Sequence, residues 1–140
     1  MMTNEYTVTL WGLLLILFTL IIQSFVAAMV KAKQPGAVPG KINPNLSHDS
    51  FVFRSNRCVV NSIENSVMML GTVFLAIFAN VNPKWIGIYT MTFAVARIIH
   101  MLLYYFIATE KNPSPRSYFY LIAFISNVAL LLQTCLTLLN

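Results

Sequence analysis

The sequence contains few charged residues and very few acids. Of its 140 residues only 9% are charged, and four are Asp or Glu, whereas soluble domains carry roughly 25% charged residues. Hydrophobic residues make up 58% of the chain. A composition of this kind excludes an ordinary water-soluble domain and predicts a protein surrounded by lipid.

Cysteine and histidine are also scarce, with two residues of each. Cys58 and Cys135 form no C-x-x-C and no zinc-type spacing, and a disulfide between them would have to cross nearly a membrane thickness. His100 has no second His, Asp or Cys at a ligand spacing, and His48 stands alone in a loop. We therefore predict no metal site, and we interpret both cysteines as small buried apolar residues.

What the sequence does contain is four long apolar runs, each close to the roughly 20 residues that cross a bilayer core. They extend over residues 8–30, 58–80, 85–108 and 116–139. Because backbone groups in lipid must be satisfied within their own segment, each run is predicted to be a helix. Short connections favour antiparallel neighbours. We predict an all-α membrane protein with a single domain, 1–140, folded as an antiparallel up-down four-helix transmembrane bundle.

The first run is also expected to be a helix and not a signal peptide. It follows an acidic residue, Glu5, it is too long for the apolar region of a signal peptide, and it lacks a small-residue cleavage site. The loop that follows, Gln34 to Phe53, is rich in proline and glycine. A connection of this length is expected to be a lid or a mobile connector.

Basic residues are concentrated in two of the predicted loops and at their edges. They are Lys31, Lys33, Lys41, Arg54 and Arg57 around the first loop, and Lys111 and Arg116 in the third. The positive-inside rule places these loops in the cytosol and both termini on the other side. The membrane could be a bacterial inner membrane or the endoplasmic reticulum. The net charge of +5 then reflects topology, and no motif predicts nucleic-acid binding.

Two of the apolar runs carry a polar stripe along one helix face. The stripes consist of Arg57, Asn61 and Glu64 at i, i+4 and i+7, and of Arg97, His100 and Tyr104 at i, i+3 and i+7. An ionised carboxylate inside a membrane helix costs at least a few kcal/mol and normally has a partner. We therefore expect Glu64 and Arg97, at similar depths, to pair across antiparallel helices.

Such a pair has two interpretations. It could be a structural clasp, with Asn61 and His100 as hydrogen-bonding neighbours worth about 1 kcal/mol per bond. However, Arg57, Tyr104 and Arg116 converge on the same end of the bundle, so three arginines face a single glutamate. A surplus of positive charge beside a tyrosine hydroxyl suits an anionic ligand or a developing thiolate. This surplus of positive charge favours a ligand-binding site over a structural clasp.

These motifs resemble the MAPEG family, the membrane-associated proteins in eicosanoid and glutathione metabolism. The resemblance lies in Arg57-Cys-Val-Val-Asn61-Ser-Ile-Glu64-Asn65, in Ala-Arg97-Ile-Ile-His100-Met-Leu-Leu-Tyr104 and in Arg116-Ser117-Tyr118-Phe119-Tyr120. The Glu64-Asn65 pair is more similar to the microsomal glutathione transferase branch. Val60 stands where the prostaglandin synthase branch carries an arginine, and the segment before Arg116 is longer than in that branch.

The resemblance implies a homotrimer that uses glutathione as co-substrate at each subunit interface. It implies that Arg116 is the catalytic residue, which stabilises the glutathione thiolate. It implies glutathione-binding roles for Arg57, Asn61, Glu64, Arg97, His100, Tyr104, Ser117, Tyr120 and Lys31. The implied activity is transfer to lipophilic electrophiles or reduction of lipid hydroperoxides that arrive from the bilayer.

Two other functions stay open. The family contains a non-catalytic lipid-binding member, so a scaffold protein of the same fold is the main alternative. A small four-helix multidrug exporter would normally need a carboxylate in the first span, where Gln23 is the notable polar residue of this chain. The identity of the electrophile cannot be derived from the sequence.

Overall fold

The long apolar runs form long helices in the computed structural model, which describes residues 2–139. The helices are α1 (Met2–Glu5), α2 (Thr7–Ala32), α3 (Phe51–Phe78), α4 (Pro83–Phe106) and α5 (Pro115–Leu139). Each helix from α2 to α5 is long and apolar enough to cross a membrane. The predicted all-α fold with four spanning helices is confirmed. The first and last residues of the predicted domain lie outside the described residues.

Helix α3 begins at Phe51 and not at the predicted Cys58. Its first turns contain Arg54 and Arg57, which the hydropathy pattern assigned to the edge of the loop. Arg54 is nevertheless buried, because its guanidinium donates to backbone carbonyl oxygens at the end of α4. A charged residue is compatible with these helical turns because its long side chain reaches polar partners at the end of α4. The other predicted helix ends lie within about two residues of those observed, the usual uncertainty of helix boundaries.

Proline and asparagine set the helix ends on either side of α4. Pro83 occupies the first turn of α4, and the Asn82 side chain accepts a hydrogen bond of 3.0 Å from the backbone N–H of Lys84. Asn80, in the turn before it, has a φ of 57°, a conformation that asparagine tolerates better than most residues. Pro115 opens α5 in the same way. These tight ends direct α4 antiparallel to both α3 and α5.

Helices α3 and α4 form the centre of the bundle. Each packs against the other three long helices, with α2 and α5 on their flanks. Buried apolar side chains such as Met69 and Val73 of α3 and Phe93 of α4 form the core. The outside is also apolar: Phe25 of α2 is 66% exposed and Phe78 of α3 is 71% exposed. Exposure of this kind is unfavourable in water but matches the hydrocarbon of a bilayer.

Helices α2 and α4 approach each other closely at two glycines. A Cβ atom at Gly12 would lie 2.9 Å from Cγ2 of Thr90, and a Cβ atom at Gly87 would lie 3.1 Å from Cβ of Val8. Small residues allow membrane helices to pack backbone against backbone. This contact fixes α2 against α4, the helix that carries one of the two polar stripes.

Candidate functional site

A polar depression of about 210 Å³ lies where α4 ends and α5 begins. Its lining combines side chains of α3, α4 and α5, all of them predicted site residues: Asn61, His100, Tyr104, Arg116, Ser117 and Tyr120. The antiparallel course of α4 and α5 brings the last turns of one helix beside the first turns of the next. Residues that are distant in sequence therefore meet at one end of the bundle.

Arg116 is the charged residue of this depression, and it is only 9% exposed. Its Nη2 donates a 3.1 Å hydrogen bond to the carbonyl oxygen of Thr109 and lies 3.3 Å from Nε2 of His48. Its guanidinium carbon lies 4.3 Å from the centroid of the Tyr104 ring, within the range of a cation–π contact. Its Nη1 is buried and has no hydrogen-bond partner within the described residues. Such a donor is suited to an anion.

Arg97 lies behind the depression, 2% exposed, and does not line it. Its Nη2 donates to Oδ1 of Asn61 at 2.9 Å and to Oγ of Ser62 at 2.7 Å. Arg97 thus orients Asn61, which does reach the depression, and places a second positive charge one layer deeper. Its Nε and Nη1 have no hydrogen-bond partner in the part of the chain that is described.

The expected ion pair between Glu64 and Arg97 is not formed among residues 2–139, and that prediction was wrong. Arg97 approaches α3 from the side of Ser62. Successive residues of a helix are about 100° apart, so Glu64 lies on the far side of α3 from Ser62. Glu64 and Arg57 are both exposed in the single chain. The α3 stripe is therefore divided: Asn61 faces the bundle interior, and its two charged neighbours face outward.

Lys31 lies away from the depression, in the last turn of α2. It lines a different cavity of about 270 Å³ beneath the first loop, together with Lys41, Leu46 and Val52. Within one chain, six of the predicted residues thus line the depression and Arg97 supports it from behind. Three others lie outside it: Arg57, Glu64 and Lys31.

Arg54 is a residue at this end of the bundle that the sequence analysis missed. It donates to the carbonyl oxygens of His48 at 2.6 Å and Asp49 at 2.9 Å, and to that of Tyr104 at 3.0 Å. The last carbonyl groups of a helix lack intrahelical partners and attract cations. Arg54 therefore ties the first loop to the end of α4. Its place among the basic residues at this end was visible in the sequence, but its reach to α4 was not.

His48 was also missed, because a single loop histidine has no spacing that indicates a role. Its backbone N–H donates a 2.9 Å hydrogen bond to Oε1 of Glu110, and its Nε2 lies 3.9 Å from Oε2 of the same residue. Burial lowers the pKa of the His48 imidazole, and the charge of Arg116 lowers it further, while Glu110 opposes both. The imidazole is therefore biased toward its neutral form.

The fold and the site define a class: a four-helix transmembrane bundle with an arginine-containing polar depression at one end. The sequence matches the model of the MAPEG family over residues 8–136, and the chain belongs to this family. Searches of curated proteins and of solved structures returned no match. The family predicted from the motifs is confirmed, and together with the four apolar helices it identifies an integral membrane protein. The family includes glutathione transferases and related enzymes.

Proposed function

We propose that this protein is a glutathione-dependent membrane transferase of the microsomal glutathione transferase type, with reduction of lipid hydroperoxides as a related activity. The observation that carries the proposal is the burial of the Arg116 guanidinium at the depression. Its guanidinium is buried, it lines a polar depression, and its Nη1 has no hydrogen-bond partner among the described residues. A permanently charged donor of this kind favours a thiolate over a thiol.

The residues fit the functional groups of glutathione, a peptide with two carboxylates, one ammonium group and one thiol. Arg116 offers a charged donor, and Tyr104, Ser117 and Tyr120 line the depression with it. Asn61, held by Arg97, offers an amide beside them. The depression therefore supplies donors for an anion, which is the arrangement that thiolate binding needs.

The exposed part of the α3 stripe supports the proposal of a homotrimer. Arg57 and Glu64 lie about one helical turn before and after Asn61, which lines the depression, so these two exposed residues border it. Charged side chains on a spanning helix normally face protein or water. A partner subunit packed against this face would enclose Arg57 and Glu64 beside the depression, where they would bind the carboxylates and the ammonium group of the peptide. Lys31, at the end of α2, would contribute from the neighbouring subunit.

In the proposed reaction Arg116 acts on the thiol. A free thiol has a pKa near 8.5 and is mostly protonated at pH 7, and each unit by which the pKa falls corresponds to about 1.4 kcal/mol. Arg116 would stabilise the thiolate while the proton leaves to solvent. The sulfur would then attack an electrophilic carbon, forming a C–S bond as the leaving group departs. With a hydroperoxide it would attack the terminal oxygen, forming an S–O bond and breaking the O–O bond, and the alkoxide would leave as the alcohol after taking a proton from solvent. The resulting sulfenic acid would react with a second glutathione to give the disulfide and water.

The proposed orientation places the depression in the cytosol and both termini on the opposite side. Supporting it, Lys33, Lys41 and Lys111 lie in the two connections at the depression's end of the bundle, and basic loops are retained on the cytosolic side. A lipophilic second substrate would enter from the bilayer along the apolar outer surface. The membrane would be a bacterial inner membrane or the endoplasmic reticulum.

The test is the ultraviolet absorbance of the thiolate when detergent-purified protein is mixed with glutathione across a range of pH. We expect a thiolate signal at neutral pH that Arg116→Ala abolishes, with a loss of turnover of about 10²- to 10³-fold, as for removal of one donor to a developing anion. Lys111→Ala is the matched control, since it removes a nearby exposed positive charge outside the depression. Glutathione binding without thiolate would favour the lipid-binding scaffold instead. Absence of binding would overturn the glutathione assignment.

A further inference from the structure

The first loop, residues 33–50, reaches the depression through His48. Two charged residues fix the backbone of His48: Arg54 donates to its carbonyl oxygen at 2.6 Å, and Glu110 accepts its N–H at 2.9 Å. The imidazole ring lies between two aromatic rings, with centroids 5.0 Å from Phe53 and 6.1 Å from Tyr104. The side chain of His48 is therefore held in place by hydrogen bonds to its backbone and by aromatic contacts to its ring.

The imidazole of His48 meets the guanidinium of Arg116, with 3.3 Å between Nε2 and Nη2. Arginine has five N–H donors and no acceptor. The hydrogen bond therefore requires Nε2 to accept, so that the ring is neutral and carries its proton on Nδ1, an atom that is buried without a hydrogen-bond partner among the described residues. Nη2 of Arg116 is then held by His48 and by the carbonyl oxygen of Thr109. Nη1 is the terminal nitrogen left without a partner among residues 2–139.

We propose that His48 is a positioning residue for Arg116: its neutral Nε2 accepts from Nη2 and holds the guanidinium against the Tyr104 ring at the depression. The hydrogen bond itself does not depend on what the protein binds. Its effect on thiolate formation rests on the proposed function.

Protonation of His48 would remove this acceptor. The charges that act on the imidazole are those of Arg116 from α5, Arg54 and Arg57 from α3, and Glu110 from the loop before α5, and the Tyr104 ring of α4 lies beside it. The three cations and burial favour the neutral ring, and Glu110 alone favours the charged one. Positioning of Arg116 is therefore complete at neutral pH and is lost at a pH below about 6.5, the ordinary pKa of histidine.

The first test is the tautomer of His48, measured by ¹⁵N nuclear magnetic resonance on protein with labelled histidine. The chain has two histidines, so His48→Gln assigns the signals. We expect the Nδ1–H tautomer in the unchanged protein. In Arg116→Ala the Nε2–H tautomer should appear, and the pKa of His48 should rise. An Nε2–H tautomer in the unchanged protein, or signals that Arg116→Ala does not alter, would overturn the proposal whether or not glutathione binds.

The second test is the pH profile of thiolate absorbance in two variants of His48. Gln places an amide oxygen near Nε2 and does not titrate, whereas Phe keeps a ring between Phe53 and Tyr104 but has no acceptor. His48→Phe should raise the pH of half-ionisation of the bound thiol by about one unit, a tenfold loss of thiolate at lower pH. His48→Gln should keep the thiolate at neutral pH and lose the inflection due to histidine. If His48→Phe fails to fold, the pH profile of His48→Gln and the tautomer of His48 still test the positioning role.

Lys41→Gln is the control for the second test, because it removes an exposed charge from the same loop at a distance from Arg116. Three identical profiles for the unchanged protein and both His48 variants would overturn the positioning role in a protein that still forms thiolate. Failure of the proposed function looks different. In that case no variant forms thiolate, while the tautomer measurement reports on the bond between His48 and Arg116.

Discussion

Helix α3 carries polar side chains on two faces whose surroundings differ. On the inner face, Asn61 and Ser62 bind Arg97 of α4. On the outer face, Arg57 and Glu64 are exposed and make no side-chain hydrogen bond or ion pair with another described residue. Inside a membrane bundle, neighbouring helices satisfy polar groups, whereas a polar group on the outside needs water, headgroups or another chain. The polar side chains of the inner face thus have their partners within one chain. Those of the outer face require a partner from outside it.

The largest expected loss of stability comes from substitutions on the inner face of α3. The double variant Asn61→Ala, Ser62→Ala leaves the guanidinium of Arg97 buried without these acceptors, and each hydrogen bond to a charged group contributes about 1.5–3 kcal/mol. We expect a large drop in the unfolding free energy, measured by denaturation of the helical circular dichroism signal in detergent. Adding Arg97→Met should restore much of the loss, since the buried charge is then absent. An unchanged unfolding free energy in the double variant would show that Arg97 finds other partners.

Substitutions on the outer face should affect glutathione binding and not the unfolding free energy. Glu64→Gln and Arg57→Gln should leave the unfolding free energy of the chain nearly unchanged, because neither side chain has a hydrogen-bond partner within the described residues. Glutathione binding should weaken by about tenfold or more for each, since a hydrogen bond to a charged group contributes about 1.5–3 kcal/mol. Calorimetry with glutathione, together with the oligomer mass in detergent, measures both effects. If these variants unfolded the chain as readily as the inner ones, the comparison between the two faces would fail.

The division of α3 marks how far the sequence predicts the site. Helical spacing predicted that Arg57, Asn61 and Glu64 share one face, but in the structure Asn61 reaches the bundle interior while Arg57 and Glu64 face outward. The spacing does not show where the bundle interior lies relative to that face, and Ser62 turned out to bind Arg97. His48 lies in a loop, so no helical spacing points to it. Its role depends on its contact with Arg116, which is distant in the sequence. Helix number and span followed from hydropathy because lipid imposes a length.

A comparison of two glycines separates packing within the chain from packing outside it. A Cβ at Gly12 would lie 2.9 Å from Thr90 Cγ2, whereas a Cβ at Gly71 of α3 meets nothing within 4 Å. Overpacking costs about 1–3 kcal/mol, partly offset by about 1 kcal/mol from the better helix propensity of alanine. Gly12→Ala should therefore lower the unfolding free energy modestly, and Gly71→Ala should not. Gly71 shares the outer face with Glu64, so a change in oligomer mass confined to Gly71→Ala would locate the subunit interface there.

The smallest expected effect concerns the pH dependence of stability at the polar end of the bundle. The pKa of His48 is lowered in the folded protein, so the unfolded chain binds a proton at higher pH than the folded chain does. The contribution of His48 to stability is therefore complete above about pH 6.5, the unfolded value, and is lost as the pH falls through the lower folded value. The difference in melting temperature between the unchanged protein and His48→Gln should change by a few degrees at most over this range. Because burial is the largest cause of the lowered pKa and Arg116 the second, Arg116→Ala should reduce this dependence without removing it. A dependence that disappeared entirely in Arg116→Ala would mean that the guanidinium, and not burial, keeps His48 neutral.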